Sequence, residues 1–174
     1  MKALMIAAAS VATLAMAAPA MAQDAGTTVY GNIGYGHVSA EDVDVGAIQG
    51  RVGARFGQYF GVEGEASAGI NGDDFNVGAT NVEVDLNYQI GAYAVGYLPV
   101  APNADLFARV GYSKSEFDVS SPLGGASGDV DGVAYGIGGQ YFFTDKDGIR
   151  LDVTRHDSDD GEADVFGISY VRKF

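Results

Sequence analysis

The sequence predicts an all-β fold, an eight-stranded antiparallel up-and-down transmembrane β-barrel preceded by a cleavable signal peptide. Three observations lead there. The stretch Ala47–Ile70 is apolar on one face and charged on the other. The rest of the chain divides into segments of similar length and the same two-residue rhythm. No stretch after the leader is long and apolar enough to be a membrane helix, so a membrane-spanning chain of this kind must close its strands into a barrel.

The leader is read from Met1 to Ala22. Lys2 supplies the positive start, Leu4 to Met16 the apolar stretch, and Ala20-Met21-Ala22 the small-x-small cleavage site. The expected division is 1–22 signal peptide and 23–174 barrel domain, leaving 152 residues (174 minus 22) from Gln23. One domain suits that length. The chain has no Cys, 26 Gly and four Pro. That composition excludes a disulfide framework and fits crowded, β-rich backbone rather than disorder. A net charge of −13 argues against nucleic acid as a partner.

The first strand is expected over Thr27 to Val38, with Val29, Ile33 and Tyr35 on one face and Tyr30 and Asn32 on the other. The second and third form the organising hairpin. Ile48, Val52, Ala54, Phe56, Phe60, Val62 and Ile70 share one face, and Arg51, Arg55, Glu63 and Glu65 share the opposite one. A turn near Gln58–Tyr59 predicts Gly57 opposite Gly61, Arg55 opposite Glu63 and Gly53 opposite Glu65. Matched charges among glycines suit the interior of a small barrel, so the apolar face is read as facing lipid.

The fourth strand begins near Asn81, where Val82, Val84, Leu86, Tyr88 and Ile90 alternate with Glu83, Asp85, Asn87 and Gln89. It runs to Tyr97, and the two prolines of Leu98–Asn103 predict a turn. The fifth covers Ala104 to Phe117, with Leu106, Val110 and Tyr112 opposite Phe107, Arg109 and Ser113. The sixth covers Gly132 to Phe143. A turn over Thr144–Gly148 ends in the Asp-Gly hairpin signal. The seventh covers Ile149 to His156, where Ile149, Leu151 and Val153 alternate with Arg150, Asp152 and Thr154. The eighth runs from Ala163 to Phe174.

Connections after even-numbered strands are short. Those after odd-numbered strands (Ser39–Asp44, Asn71–Asn76, Asp118–Val130, Asp157–Glu162) are longer and acidic. Short turns on one rim and long loops on the other are the asymmetry of outer-membrane barrels. Aromatic residues gather at strand ends. Tyr59, Phe60, Tyr97, Tyr141, Phe143 and Phe174 are expected at the turn rim, and Tyr35, Tyr88, Tyr112 and Tyr135 nearer the loop rim, as two interfacial girdles.

On these patterns, and on phrases such as Phe60-Gly61-Val62-Glu63-Gly64-Glu65 and Arg109-Val110-Gly111-Tyr112, the chain from Gln23 to Phe174 resembles the small outer-membrane β-barrel family. That group includes the OmpA membrane domain, OmpX and the opacity-type porins. The resemblance implies a place in the cell outer membrane. It also implies contact with outer-membrane lipids and lipopolysaccharide, and delivery by the outer-membrane assembly machinery. Phe166, Ile168, Tyr170 and terminal Phe174 resemble the signal that machinery reads. Arg172 stands where an apolar residue is usual and is expected to snorkel.

Eight strands enclose a lumen that side chains just fill. Arg51, Arg55, Glu63, Glu65, Glu83, Asp85, Arg109, Arg150 and Asp152, with Gln140, are expected there as a structural charge network, since buried ions must satisfy one another. The predicted role of this monomer is structural, in outer-membrane integrity and surface architecture, without enzyme activity, metal or cofactor. A narrow porin for ions or small solutes is the alternative. Behind it stand a surface adhesin and a lipid A-modifying enzyme. The enzyme reading rests on His156 and Ser158 with Glu162 nearby, faintly similar to outer-membrane lipid A deacylases; a serine nucleophile needs such a base within hydrogen-bond reach. The pattern leaves two further readings, a soluble lipocalin-type barrel and cation binding by Asp157–Glu162.

Overall fold

The computed structural model describes residues 26–40, 43–71, 73–77, 80–121, 124–158 and 161–174, without side-chain detail at 40, 43–44, 71–87, 117–127 and 129. The expected leader, Met1–Ala22, lies outside them, as do the side chains of Glu83 and Asp85.

Among the described residues nine strands follow in order: β1 (Thr27–Ala40), β2 (Val43–Phe56), β3 (Phe60–Asn71), β4 (Asp73–Val77), β5 (Thr80–Ala101), β6 (Ala104–Ser121), β7 (Gly124–Phe142), β8 (Asp147–Ser158) and β9 (Gly161–Lys173). Neighbours run β3-β2-β1-β9-β8-β7-β6-β5, and a β3–β5 ladder closes the ring. Every pairing is antiparallel. Eight strands therefore make the barrel wall, and β4 is a short flap laid on the start of β5. The chain's two ends meet where β1 pairs β9, from Tyr30 opposite Lys173 to Ser39 opposite Asp164. Among the described residues closure gives every wall strand a partner on both sides, which is what hydrocarbon demands of a sheet.

The outer surface is apolar. Ile33, Ile48, Phe60, Val62, Ile90, Leu106, Val110, Ile137, Leu151, Phe166 and Ile168 all stand exposed, Phe60 at 71% and Ile137 at 69%. The lumen holds the polar side chains, with Arg51 1%, Arg150 0% and Thr154 0% exposed. This is a soluble protein turned inside out, and the alternation along each strand produces it. A lipocalin-type barrel, with its greasy face inward, is thereby ruled out.

Four expectations need correction. In the β2–β3 hairpin Phe56 faces Phe60, so Arg51 opposes Glu65 and Arg55 opposes Gly61; Arg55 does not oppose Glu63. The loop is the three residues Gly57-Gln58-Tyr59. Gly57 bends it with φ of 65°, a left-handed conformation that suits glycine. The shift is two residues, so every side chain keeps its face.

Tyr97 does not join the rim girdle. It points into the lumen at 5% exposure. Its hydroxyl finds Tyr30, and its ring lies under Arg55, which outweighs an interfacial seat.

The proline pair does not end β5 at Tyr97. The ladder reaches Ala101 opposite Ala104 through an irregularity at Pro99, and Pro102-Asn103 is the turn. The β3–β5 ladder stops at Phe60 opposite Gly96. Beyond it β5 has a neighbour on one side alone, so the N–H that Pro99 lacks is not missed.

The expected loops are largely ladder. The β6–β7 pairing continues through 118–121 and 124–130, from Asp118 opposite Ser127 to Ser121 opposite Gly124. Asp157 faces Glu162, and Ser39 faces Asp44. Antiparallel backbone pairing needs no apolar face, so hydrophobic alternation cannot detect it there. The turn before β8 likewise ends two residues early. Thr144 Oγ1 accepts from the N–H of Lys146 (3.2 Å) and of Asp147 (2.8 Å), and Asp147-Gly148 already belongs to the strand.

Candidate functional site: the barrel lumen

The middle of the lumen is an ionic cluster built from β2, β3, β6 and β8. Arg51 points inward from β2. Its Nε lies 2.5 Å from Glu65 Oε2, and its two terminal nitrogens grip Asp152 at 2.8 and 2.9 Å. Arg109, from β6, bonds Glu65 Oε2 at 2.7 Å and donates through Nε to Thr154 at 3.0 Å. Arg150, from β8, holds Glu63 with two nitrogens, one to Oε1 and one to Oε2 at 3.1 Å. Three arginines thus meet three carboxylates, Glu63, Glu65 and Asp152. No net charge is left in the cluster, and the shared partners make it one network rather than three pairs.

Aromatic rings complete it. The guanidinium of Arg109 sits 4.2 Å over Tyr93 and that of Arg150 3.8 Å over Phe107. Arg55 sits 4.3 Å over Tyr97, nearer the turn rim. Stacking suits a planar, weakly hydrated guanidinium and compensates part of its desolvation. Tyr30 donates to Glu63 Oε1 at 2.7 Å and lies 2.5 Å from the Tyr97 hydroxyl. Glycines make room for the rings. Tyr30 lies over Gly53 and Phe107 over Gly138, where an added Cβ would collide with the ring.

Arg55 stands apart from the central cluster. It grips Asp105 at 2.9 and 3.1 Å, and Gln140 Nε2 donates to the same carboxylate at 2.9 Å. Arg55 and Gln140 were foreseen as lumenal; Asp105 was not. It was legible, because inward Phe107 and Arg109 on β6 put Asp105 on the same face. Tyr30, Tyr93 and Thr154 had the same signal.

The loop-side end of the cluster is capped by Gln89, Ser113 and His156. Gln89 Nε2 lies 3.5 Å from Glu65 Oε1 and 3.4 Å from His156 Nε2. His156 Nδ1 shares a 2.8 Å hydrogen bond with Ser113 Oγ. Ser158 instead donates to the Gly161 carbonyl at 2.9 Å, and Glu162 is engaged by Arg155 at 3.2 Å. The His156, Ser158 and Glu162 arrangement weighed as an enzyme signal is not assembled. Asp159 and Asp160 of the cation candidate lie outside the described residues. Among the described residues no three His, Cys, Asp or Glu side chains are grouped to hold a metal ion.

On the outer surface Phe166, Ile168, Tyr170 and Phe174 form an exposed row along β9 and its end. Arg172 in that row pairs with Asp147, the first residue of β8, at 2.8 Å. The Tyr170 hydroxyl donates to the same carboxylate, and Thr144 Oγ1 donates to it at 3.0 Å.

Known proteins share this architecture. The profile of the outer membrane protein β-barrel domain matches residues 7–174. No curated protein sequence matches the chain. Among solved structures, the N-terminal β-barrel domain of Pseudomonas aeruginosa OprF is similar at 9% identity and TM-score 0.63, covering 86% of this chain and 100% of that one. OprG of the same organism is similar at 13% identity and TM-score 0.60, with 86% and 96% covered. Ail of Yersinia pestis, solved in complex with the heparin analogue sucrose octasulfate, is similar at 17% identity and TM-score 0.60, with 85% and 97% covered. Inside-out wall, closed ring and profile agree: the chain belongs to the outer membrane protein β-barrel domain family and is a protein of the cell outer membrane.

Proposed function

We propose that this barrel is a structural element of the outer membrane, a monomer that stiffens the bilayer and shapes its surface without conducting solutes. The observation that carries this reading is the ionic cluster. Arg51, Arg109 and Arg150 are each 3% exposed or less, and each is held by a carboxylate. A conducting lumen keeps an open water path, and mutually paired side chains within it disfavour one. Glycine-seated rings and stacked guanidiniums favour a fixed plug, which suits a wall whose task is rigidity. In this reading the greasy outer surface contacts lipid and lipopolysaccharide. The row Phe166, Ile168, Tyr170 and Phe174 is the segment offered to the assembly machinery.

The alternatives have less support. A narrow porin requires the cluster to open. An enzyme finds no nucleophile paired with His156 through Ser158. An adhesin for a polysulfated ligand of the kind bound to Ail would meet an acidic loop end here. Glu116, Asp131, Asp157, Glu162 and Asp164 stand in or beside it, and like charges disfavour that encounter.

The test is deletion of the gene in its own host. The structural reading expects raised sensitivity to detergent and faster entry of a large hydrophobic dye, reversed by the wild-type gene. An intact barrier combined with slowed uptake of small solutes would overturn it in favour of the porin.

A further inference from the structure

We infer that the loop-side mouth of the lumen is a binding site for a small, uncharged molecule with a hydrogen-bonding head and a short apolar tail. A cavity of about 190 Å³ lies there, directly above the ionic cluster. Its polar floor is the trio Gln89, Ser113 and His156, brought together from β5, β6 and β8. Val38, Val130 and Val165 are among the apolar residues of its wall. Mostly apolar walls with a few convergent polar groups are the usual make-up of a small-molecule site. A cavity of about 150 Å³ admits benzene, so this one holds a ligand of about six to eight non-hydrogen atoms.

The chemistry selects against charge. No lysine or arginine lines the cavity among the described residues. Its three carboxylates, Asp131, Asp157 and Glu162, belong to exposed rim residues. Asp131 accepts from Tyr112, and Glu162 is engaged by Arg155. An anion would cross an acidic rim to reach a site with no counter-charge. A cation would leave the rim for a floor of Gln, Ser and His whose neighbouring carboxylate, Glu65, is already held by Arg51 and Arg109. A neutral amide or alcohol meets donors and acceptors on the floor and valines on the wall. Because the ionic cluster closes the cavity from below, the ligand is held rather than passed. The site stands whether or not the barrel's role is structural.

The chain has two histidines, which makes the test clean. His37 is exposed on the outer face of β1, and His156 lies in the floor. Full-length mature protein, refolded in lipid nanodiscs and labelled with ¹⁵N-histidine, is titrated at pH 7.5, where an ordinary imidazole is neutral. The probes are isobutyramide, isobutyrate and isobutylammonium, which share a branched tail and differ in charge. The inference expects a saturable shift of the His156 ring signals with isobutyramide, His37 unmoved, and neither ion effective. Val165→Phe, which fills the cavity and leaves the trio intact, should weaken binding about tenfold or more, and Gln89→Leu should do so by up to about tenfold. Folding of each variant is checked by its electrophoretic heat-modifiability. No shift with any probe overturns the inference. So do equal shifts of both histidines, tighter binding of either ion, or undiminished binding by folded Val165→Phe.

Discussion

Arg51 and Glu65 face each other across the β2–β3 hairpin and form a 2.5 Å ion pair in the interior of the barrel. Neither is content with one partner. Arg51 also holds Asp152 across the lumen, and Glu65 also takes Arg109. A local hairpin contact is thereby tied to two strands on other sides of the wall. The plug forms only when the ring is closed, so it ties folding of the hairpin to closure of the barrel.

Removing one member of the plug should be costly. Arg150→Met leaves Glu63 buried with Tyr30 and a distant Arg109 guanidinium at 3.7 Å. The expected loss is about 3–5 kcal/mol in urea unfolding from lipid vesicles. The double variant Arg150→Met, Glu63→Met removes both charges and should recover more than half of that loss. A double-variant loss equal to the sum of the Arg150→Met and Glu63→Met losses would mean the two act independently.

The hairpin register can be read chemically, because the chain has no cysteine of its own. Ala54 faces Val62 on the outer surface. Ala54→Cys with Val62→Cys should oxidise to a disulfide, since directly opposed Cβ atoms are about 4.5–5.5 Å apart. Ala54→Cys with Gly64→Cys, the pairing that a turn one residue later demands, should stay reduced.

The outward face is tested by charge. Ile137 is 69% exposed on β7, between Tyr135 and Tyr141 on the same face. Ile137→Arg should destabilise the barrel by about 2–4 kcal/mol if that site is at mid-membrane depth, while Ile137→Leu changes little. The measurement is the unfolding midpoint in vesicles.

Gly138 should not accept even a methyl group. Its Cβ would meet the Phe107 ring and the Leu151 carbonyl oxygen. Gly138→Ala is expected to cost about 1–3 kcal/mol, by the same unfolding assay. Gly96, where an added Cβ meets nothing within 4 Å, is the matched control.

How much of this was legible follows a physical rule. Which face a residue occupies depends on parity, and parity is written in the sequence. Arg51, Glu63, Glu65, Arg109, Arg150 and Asp152 could therefore all be put in one lumen without coordinates. Who meets whom depends on register and on barrel curvature, and neither is local. The register of the hairpin turns on the left-handed Gly57, which looks like any other of the 26 glycines in the chain. Arg55 was expected to meet Glu63 and meets Asp105, fifty positions on. Tyr97 was misassigned because an aromatic at a strand end reads as interfacial, although its odd parity with Tyr93 and Val95 already pointed inward. The trio Gln89, Ser113 and His156 comes from three strands and had no signature beyond shared parity.

Single-channel recording of the refolded barrel, residues 23–174, in planar bilayers tests the closed plug most directly. A lumen filled by Arg51, Arg109, Arg150 and their carboxylates should give a flat trace, with current steps emerging in a folded Arg51→Ala, Arg150→Ala variant. Steady conductance from the wild-type barrel would contradict it.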